Sequence, residues 1–356
     1  MPTTKRIAIA CGGTGGHINP ALAVAERLRV GGHALALILS GTRPAERQAA
    51  ESWQGPLLRS GARPITDPRN LAAILRCRAF LKRFRPDVLL ATGGYTSFAP
   101  VVAARLLRIP VVLHEANSLP GRATRFLSKR LRVAAVATSF TETATRLPWA
   151  NVVHTGLPLR QRVLDALARA EAARTDERQG FHVLVTGGSQ GAHGLNLLVA
   201  PILASLALSD RHVTVTHQCG AADVDALRQT YAQTPKQVEV LPFIEDMGAA
   251  YARADLVIAR AGAATCFELA RAAIPAIFIP LPTAADDHQR LNAQALVACG
   301  GALCVDQNGP AANLAEAIRQ LYSDPLLRKI MRQALQDLPH PDATQALAKL
   351  ILESAR

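Results

Sequence analysis

The residues with chemical potential sit in short polar or glycine-rich stretches, each following a short apolar run. The richest spans residues 259–292. After Asp255 to Ala259 comes Arg260-Ala261-Gly262-Ala263-Ala264-Thr265-Cys266-Phe267-Glu268; after Ala276 to Ile279 comes Asp286-Asp287-His288-Gln289-Arg290-Leu291-Asn292. Small residues at 261–264 let a ligand approach the backbone closely. Thr265 and Glu268 have capping-box spacing. Glu268 therefore either caps its own helix or offers a carboxylate to vicinal ribose hydroxyls. Two further stretches, Cys11-Gly12-Gly13-Thr14-Gly15-Gly16-His17 and Gly187-Gly188-Ser189-Gln190-Gly191-Ala192, would aim backbone N–H groups from a helix start at a phosphate. His17, just past the first of them, has a side chain whose ordinary pKa near 6.5 suits proton transfer at neutral pH. Asp286 and Asp287 are adjacent carboxylates without further ligands, so neither a metal nor another cofactor is expected.

Positioning these groups requires alternating strands and helices. Apolar runs at 7–10, 34–39, 87–91, 111–113, 133–138 and 152–154 read as strands, and those at 182–186, 213–217, 238–241, 255–259, 276–279 and 302–305 as a second set. Asn19 and Pro20 read as the N-cap and first residue of a helix through Leu28. Further helices are predicted over 71–84, 121–132, 314–322, 326–335 and 344–355. Residues 166–180 form an alanine- and charge-rich helix and connection. Strand, glycine loop and helix recur near residues 11 and 187, an architectural repeat that implies two similar α/β domains. Ligands of such sheets bind beyond the strand C-terminal ends, where these stretches fall. The first glycine loop is not Gly-x-Gly-x-x-Gly and no acidic residue follows the second strand, which disfavours a nicotinamide enzyme.

The chain has 356 residues with 49% apolar content, ample for two domains. No run of about 18 apolar residues predicts a transmembrane helix, and the N-terminal apolar run is too short for a signal peptide. Six cysteines without Cys-x-x-Cys spacing fit reduced thiols. Charge is uneven: residues 1–150 carry 22 Lys/Arg against 7 Asp/Glu, residues 151–356 carry 18 against 20. A basic half implies an anionic partner. The helix at 71–84 places Cys77, Phe80, Leu81 and Phe84 on one side with Arg76, Arg78, Lys82 and Arg83 around them. It reads either as a membrane-docking helix or as a crossover helix with its apolar side in the core. Nucleic acid is disfavoured, because four Tyr and two Trp leave little for base stacking and no nucleic-acid motif appears.

Four stretches then carry a resemblance: Gly12 to His17; Gly93-Gly94-Tyr95-Thr96-Ser97 with His114-Glu115-Ala116-Asn117; Gly187 to Ala192 with Asn196; and Arg260 to Glu268 with Asp286 to Asn292. In this order and spacing the chain resembles the MurG family, glycosyltransferase family 28. The resemblance implies a GT-B fold of two Rossmann-like parallel-sheet domains with an interdomain cleft. It implies inverting transfer of GlcNAc from UDP-GlcNAc to the C4 hydroxyl of undecaprenyl-pyrophosphoryl-MurNAc-pentapeptide (lipid I), forming lipid II. The expected organisation is an acceptor- and membrane-side domain at 1–157, a donor domain at 158–340, and a last helix at 341–356 packing back on the first. Thr14, Gly15 and Gly16 are expected to meet the diphosphate, Asn117 and Arg160 to reach the sugar side, and Ser189 to bind phosphate. Ile244 is expected to contact uracil through its backbone. Ala263, Ala264 and Thr265 form the expected donor loop, with Glu268 on the ribose and Gln289 and Asn292 on the GlcNAc hydroxyls. The chain departs from the family pattern at Leu157, where an Asn is usual, and at Ala116, usually polar.

Displacement at the anomeric carbon requires deprotonation of the acceptor hydroxyl, stabilisation of the leaving UDP and in-line positioning. His17 is the first candidate for the base, against a role only in holding the loop; Glu115 is the second. The lipid of the acceptor gives the basic half a reason to meet an anionic membrane surface, at the cytoplasmic face and peripherally, alongside other cell-wall synthesis enzymes. The competing enzyme reading is a UDP-GlcNAc 2-epimerase of the same fold.

Overall fold

The computed structural model describes residues 4–41, 43–172, 180–188, 190–206 and 213–356. The chain divides into two compact units, one running to Arg160 and taking in His340–Arg356, the other Gln161–Pro339.

The first unit is built on strands β1 (Arg6–Ala10), β2 (Ala34–Leu39), β3 (Leu57–Arg59), β4 (Val88–Ala91), β5 (Val111–Glu115), β6 (Ala135–Thr138) and β7 (Val152–His154). They form one parallel sheet in the order β3-β2-β1-β4-β5-β6-β7, with Ile7 beside Leu35 on one side and Val88 on the other. Helices cover both faces, which is why its central strands are apolar throughout rather than alternating. One face packs Ile9, Leu37 and Leu90 against Leu22 and Ile351, the other packs Ala8, Leu89 and Leu113 against Leu81 and Val101. β3, at the sheet edge, is the strand missing from the sequence reading: three residues between Pro56 and Gly61 leave no apolar run to see.

The second unit repeats the plan with β8 (Phe181–Thr186), β9 (Val213–Gln218), β10 (Gln237–Leu241), β11 (Leu256–Ala259), β12 (Ala276–Phe278) and β13 (Ala302–Cys304), all parallel in the order β10-β9-β8-β11-β12-β13. In each sheet the strand order reverses beside the first strand, between β1 and β4 and between β8 and β11. In open parallel sheets the loops on the two sides of such a reversal diverge, and ligands bind in the crevice this leaves.

Helix Ala343–Ser354 belongs to the first unit. Leu347, Ala348 and Ile351 enter its core, and Arg27 Nε donates to Gln345 Oε1 at 2.7 Å. Helix Asn70–Phe84 is a crossover helix. Ala73, Cys77, Leu81 and Phe84 are buried, so the side proposed for membrane docking lies in the core. Leu71 and Leu75 instead point out, 65% and 57% exposed. Among the described residues no helix is long and apolar enough to cross a membrane.

Candidate active-site loops

In the first unit the helix after β1 starts at Gly15 with Thr14 as N-cap, a full turn before the expected Asn19–Pro20 start. His17 N–H and Ile18 N–H both reach the Thr14 carbonyl. Pro20 lies inside the helix and forfeits only the hydrogen bond to the Gly16 carbonyl. Gly15 and Gly16 occupy the first helical positions, whose N–H groups have no acceptor within the helix. The Gly13 N–H is not available to a phosphate, because it donates to Glu46 Oε1 at 3.1 Å.

His17 lies at the switch point. Thr92 at the end of β4 donates its hydroxyl to the His17 carbonyl at 2.8 Å, and the imidazole lies against the Gly93–Gly94 turn. A Cβ on Gly94 would sit 3.3 Å from His17 Nε2. His114, on β5, is fully buried with its Nε2 3.2 Å from the Ser139 hydroxyl. Burial, reinforced by His17, pushes it down to about 4, so it is a neutral partner of the cluster.

Glu115, the second base candidate, is already engaged. Its Oε1 accepts from the Asn117 N–H at 3.1 Å and the Asn117 amide at 3.3 Å; its Oε2 accepts from the Gly121 N–H at 3.0 Å and the Thr124 hydroxyl at 2.6 Å. With 2% exposure and four donors, this carboxylate holds the loop after β5 and orients Asn117 rather than standing open to a substrate. Arg160 is half-buried at the end of the segment that follows β7.

In the second unit the loop after β8 is held by backbone. Gly191 (φ +73°) passes so close to β9's loop that a Cβ there would run into the Cys219 carbonyl, and Gly220 lies as close to Gln190. Asn196, fully buried, ties the same loops: its amide donates to the Cys219 carbonyl at 2.8 Å and to Asp223 at 2.7 Å. His217, pushed down to about 3 chiefly by burial, bridges Asn196 and Tyr231. His193 pairs with Asp223 at 2.9 Å at the helix start. Ser189 lies outside the described residues.

The loop after β11 leads into helix Ala263–Arg271, whose N-cap is Gly262. Thr265 is therefore two residues past the helix start, and the capping-box reading of Thr265 and Glu268 does not hold. Ala263, Ala264 and Thr265 form the first turn, with N–H groups free of intrahelical acceptors. Glu268 lies one turn further, half-buried, accepting only the Tyr251 hydroxyl (3.0 Å) in the hydrogen bonds resolved for its side chain. Burial pushes its carboxyl up to about 7 against the lowering effect of that bond. Arg260 is buried under this turn, donating to the Ile279 and Pro280 carbonyls and to Gln307, which in turn lies against Gly194. Ile244 is buried in the loop after β10, before the helix N-cap Asp246.

The two residues assigned to sugar hydroxyls differ. Gln289 is half-buried, and its side-chain oxygen accepts the Leu281 N–H at 3.0 Å in the loop after β12. Asn292 is 0% exposed and donates to the Ala261 carbonyl at 3.1 Å. This bond ties the helix that carries Asn292 to the 260–262 turn. Asp287 pairs with Arg290, which also binds Asp306, so one of the two adjacent carboxylates serves its own helix start. The sequence reading missed Glu46, Tyr251 and the Arg260–Gln307 pair. Only Glu46 carried a local signal, a Glu two residues after Pro44 at a helix start.

Comparison with known proteins agrees with this architecture. The glycosyltransferase family 28 N-terminal domain matches residues 7–136 and the family's C-terminal domain residues 182–347. The UDP-N-acetylglucosamine–N-acetylmuramyl-(pentapeptide) pyrophosphoryl-undecaprenol N-acetylglucosamine transferase of Geobacter sulfurreducens is 37% identical, over 99% of each chain. The crystal structure of Acinetobacter baumannii MurG superposes with a TM-score of 0.82 at 33% identity, covering 98% of this chain and 99% of that one. A UDP-GlcNAc 2-epimerase from Neisseria meningitidis superposes with a TM-score of 0.68 at 16% identity, over 98% and 99%, a likeness of fold alone.

Proposed function

We propose a division of labour for a chain that belongs to the UDP-N-acetylglucosamine–N-acetylmuramyl-(pentapeptide) pyrophosphoryl-undecaprenol N-acetylglucosamine transferases, the MurG family. It is a hexosyltransferase that moves GlcNAc from UDP-GlcNAc to lipid I and forms lipid II. His17 is the general base for the acceptor C4 hydroxyl. The observation that carries this assignment is a contrast: His17 is partly exposed at the switch point of the first sheet, while Glu115 is saturated by four donors. Glu115 and Asn117 shape the loop beside it.

Charge developing on the UDP diphosphate is met by N–H groups at the helix starts near Gly15–Gly16 and at Ala263–Thr265, with Ser189 as a side-chain ligand and Arg160 on the sugar side. Ile244 takes uracil through its backbone. Glu268 accepts the ribose hydroxyls, and Gln289 presents its amide nitrogen to the sugar because its oxygen is engaged. The first unit meets the cytoplasmic membrane surface peripherally. The support is its excess of Lys and Arg and the exposed stripe Leu71, Leu75, Arg78 and Lys82 on one helix face. Liposome co-sedimentation indifferent to anionic lipid and to salt would rule that out.

The test of the reaction incubates purified protein with radiolabelled UDP-GlcNAc and a lipid I analogue. The expected result is label in the lipid, lost by about 10²–10⁴-fold in His17→Ala. Conversion of UDP-GlcNAc to UDP-ManNAc without acceptor would replace this reading with the epimerase.

A further inference from the structure

The glycine loop after β1 leans on a carboxylate from elsewhere in the chain. Glu46, in the first turn of helix Pro44–Ser52, is 1% exposed. An ion buried this deeply is unfavourable unless its hydrogen bonds are supplied, and here they are. Its Oε1 accepts from the Gly13 N–H at 3.1 Å, the Ser40 N–H at 3.2 Å and the Ser40 hydroxyl; its Oε2 accepts from the Arg43 N–H at 3.1 Å. Burial opposes ionisation, but these four bonds prevail and hold the carboxyl below its ordinary range. Three of the four donors are backbone, so the carboxylate fixes the chain path itself.

The fit around it is tight. A Cβ on Gly12 would collide with Glu46 Oε1 and sit 3.0 Å from the Ser40 hydroxyl and 3.1 Å from the Thr96 methyl. The Arg43 guanidinium lies 5.7 Å from the ring centre of Tyr95, in the turn after Gly94. One clamp therefore reaches both glycine turns that border His17: the loop at 12–16, through Gly13, and the turn at 93–97, through Arg43.

We propose that Glu46 is a positioning residue for glycosyl transfer. By drawing in the Gly13 N–H it sets the course of the loop, directs the N–H groups of Gly15 and Gly16 toward the diphosphate, and places His17 against Gly93–Gly94. The proposal rests on the assignment of His17 as base. A displacement of about 1 Å in such a group costs on the order of 10²-fold in rate.

The experiment compares Glu46→Gln, Gly12→Ala, the double variant Gly12→Ala/Glu46→Ala, Glu46→Ala and His17→Ala in the full chain. It measures kcat, KM for donor and acceptor, UDP affinity by calorimetry, and thermal melting. Glu46→Gln keeps the shape but turns a donor toward Arg43 N–H. It is expected to lower kcat by about 10–100-fold and to weaken UDP binding by a smaller factor, about two- to fivefold, because the Gly15 and Gly16 N–H groups shift together with His17. Gly12→Ala is expected to do the same by pushing the loop off the carboxylate. In the double variant the shortened side chain makes room for the new methyl, so its loss is expected to be no greater than that of the worse single variant. A folded Glu46→Gln with wild-type kcat overturns the proposal, as do additive losses in the double variant. If Glu46→Gln does not fold, a wild-type kcat in folded Gly12→Ala overturns it. Wild-type activity in His17→Ala overturns the base assignment on which it rests; an inactive His17→Ala beside a fully active Glu46→Gln overturns the Glu46 proposal alone.

Discussion

Glu46 in the first unit and Glu268 in the second are both carboxylates near a loop that leaves a sheet, and they are treated in opposite ways. Glu46 receives four donors and is held ionised, below its ordinary range. Glu268 receives one hydroxyl, from Tyr251, and is pushed up to about 7 by its surroundings. Burial acts on both in the same direction; the number of donors decides the sign. A carboxylate whose donors the fold supplies is spent on structure. One whose donors are lacking is unfavourable as it stands and gains when a ligand brings hydroxyl groups to it. Glu115, with its four donors, falls on the structural side of this divide although it lies among the sequence motifs.

The largest test of this contrast removes a structural carboxylate. Glu115→Ala leaves the Gly121 and Asn117 N–H groups and the Thr124 hydroxyl without their acceptor, and is expected to destabilise the first unit by about 3 kcal/mol in urea unfolding. A variant as stable as wild type would show that these bonds are dispensable.

Glu268→Gln is expected to act the other way on stability. The folded carboxyl takes up its proton near 7 and the unfolded one near 4.5. Folding therefore binds a proton between those values, and wild-type stability falls as pH rises through that window and levels above about 7. Glu268→Gln lacks this loss, so its melting temperature gains on wild type between pH 5 and 8. UDP affinity should fall about tenfold at pH 8, because an amide accepts hydroxyl hydrogen bonds less strongly than a carboxylate. Parallel melting curves for the two proteins across that range would refute the assignment of a raised carboxyl.

Tyr251→Phe sharpens the comparison further by leaving Glu268 with no donor at all from this tyrosine. Its carboxyl should rise above about 7, so that UDP binding weakens at higher pH than in wild type, by about two- to threefold at neutrality. Calorimetric titrations at several pH values would detect an unchanged midpoint. The smallest effect is expected for His193→Ala, whose ion pair with Asp223 is exposed on the histidine side. A change below about 1 kcal/mol in unfolding free energy is anticipated there, and a larger one would make that pair part of the Asn196 bracing.

Much of the fold was legible because parallel strands buried on both faces advertise themselves as apolar runs, as at Ile7 to Ala10 and Leu256 to Ala259. β3 was not, because an edge strand of three residues has too little apolar surface to register. Helix starts misled for a different reason. Asn19–Pro20 and Thr265–Glu268 have good capping chemistry, yet Thr14 and Gly262 cap the helices, since the chain leaving a buried strand begins to coil as soon as glycine or a small residue allows. The site motifs fall on loops that follow strand C-terminal ends. They could not tell which polar side chains inside a loop face solvent: Asn292 and Gln289 lie three residues apart, and only the packed helix shows the first to be fully buried. The local signal at Glu46, a Glu two residues after Pro44, gave no hint of its partners, because Gly13 and Ser40 come together around it only when β1 and β2 pair.

Helix Ala343–Ser354 carries a consequence for biosynthesis. Leu347 and Ile351 are part of the same core as Ile9 and Leu37. The second unit, at 161–339, is contiguous and can collapse as soon as it has cleared the ribosome, whereas the first must wait with one face of its sheet incomplete until synthesis has passed Ile351. Although its strands emerge first, the core of the first unit is complete only once this last helix has been made. For most of translation its open groove beside Leu22 and Leu28 is the apolar surface that a chaperone would have to cover.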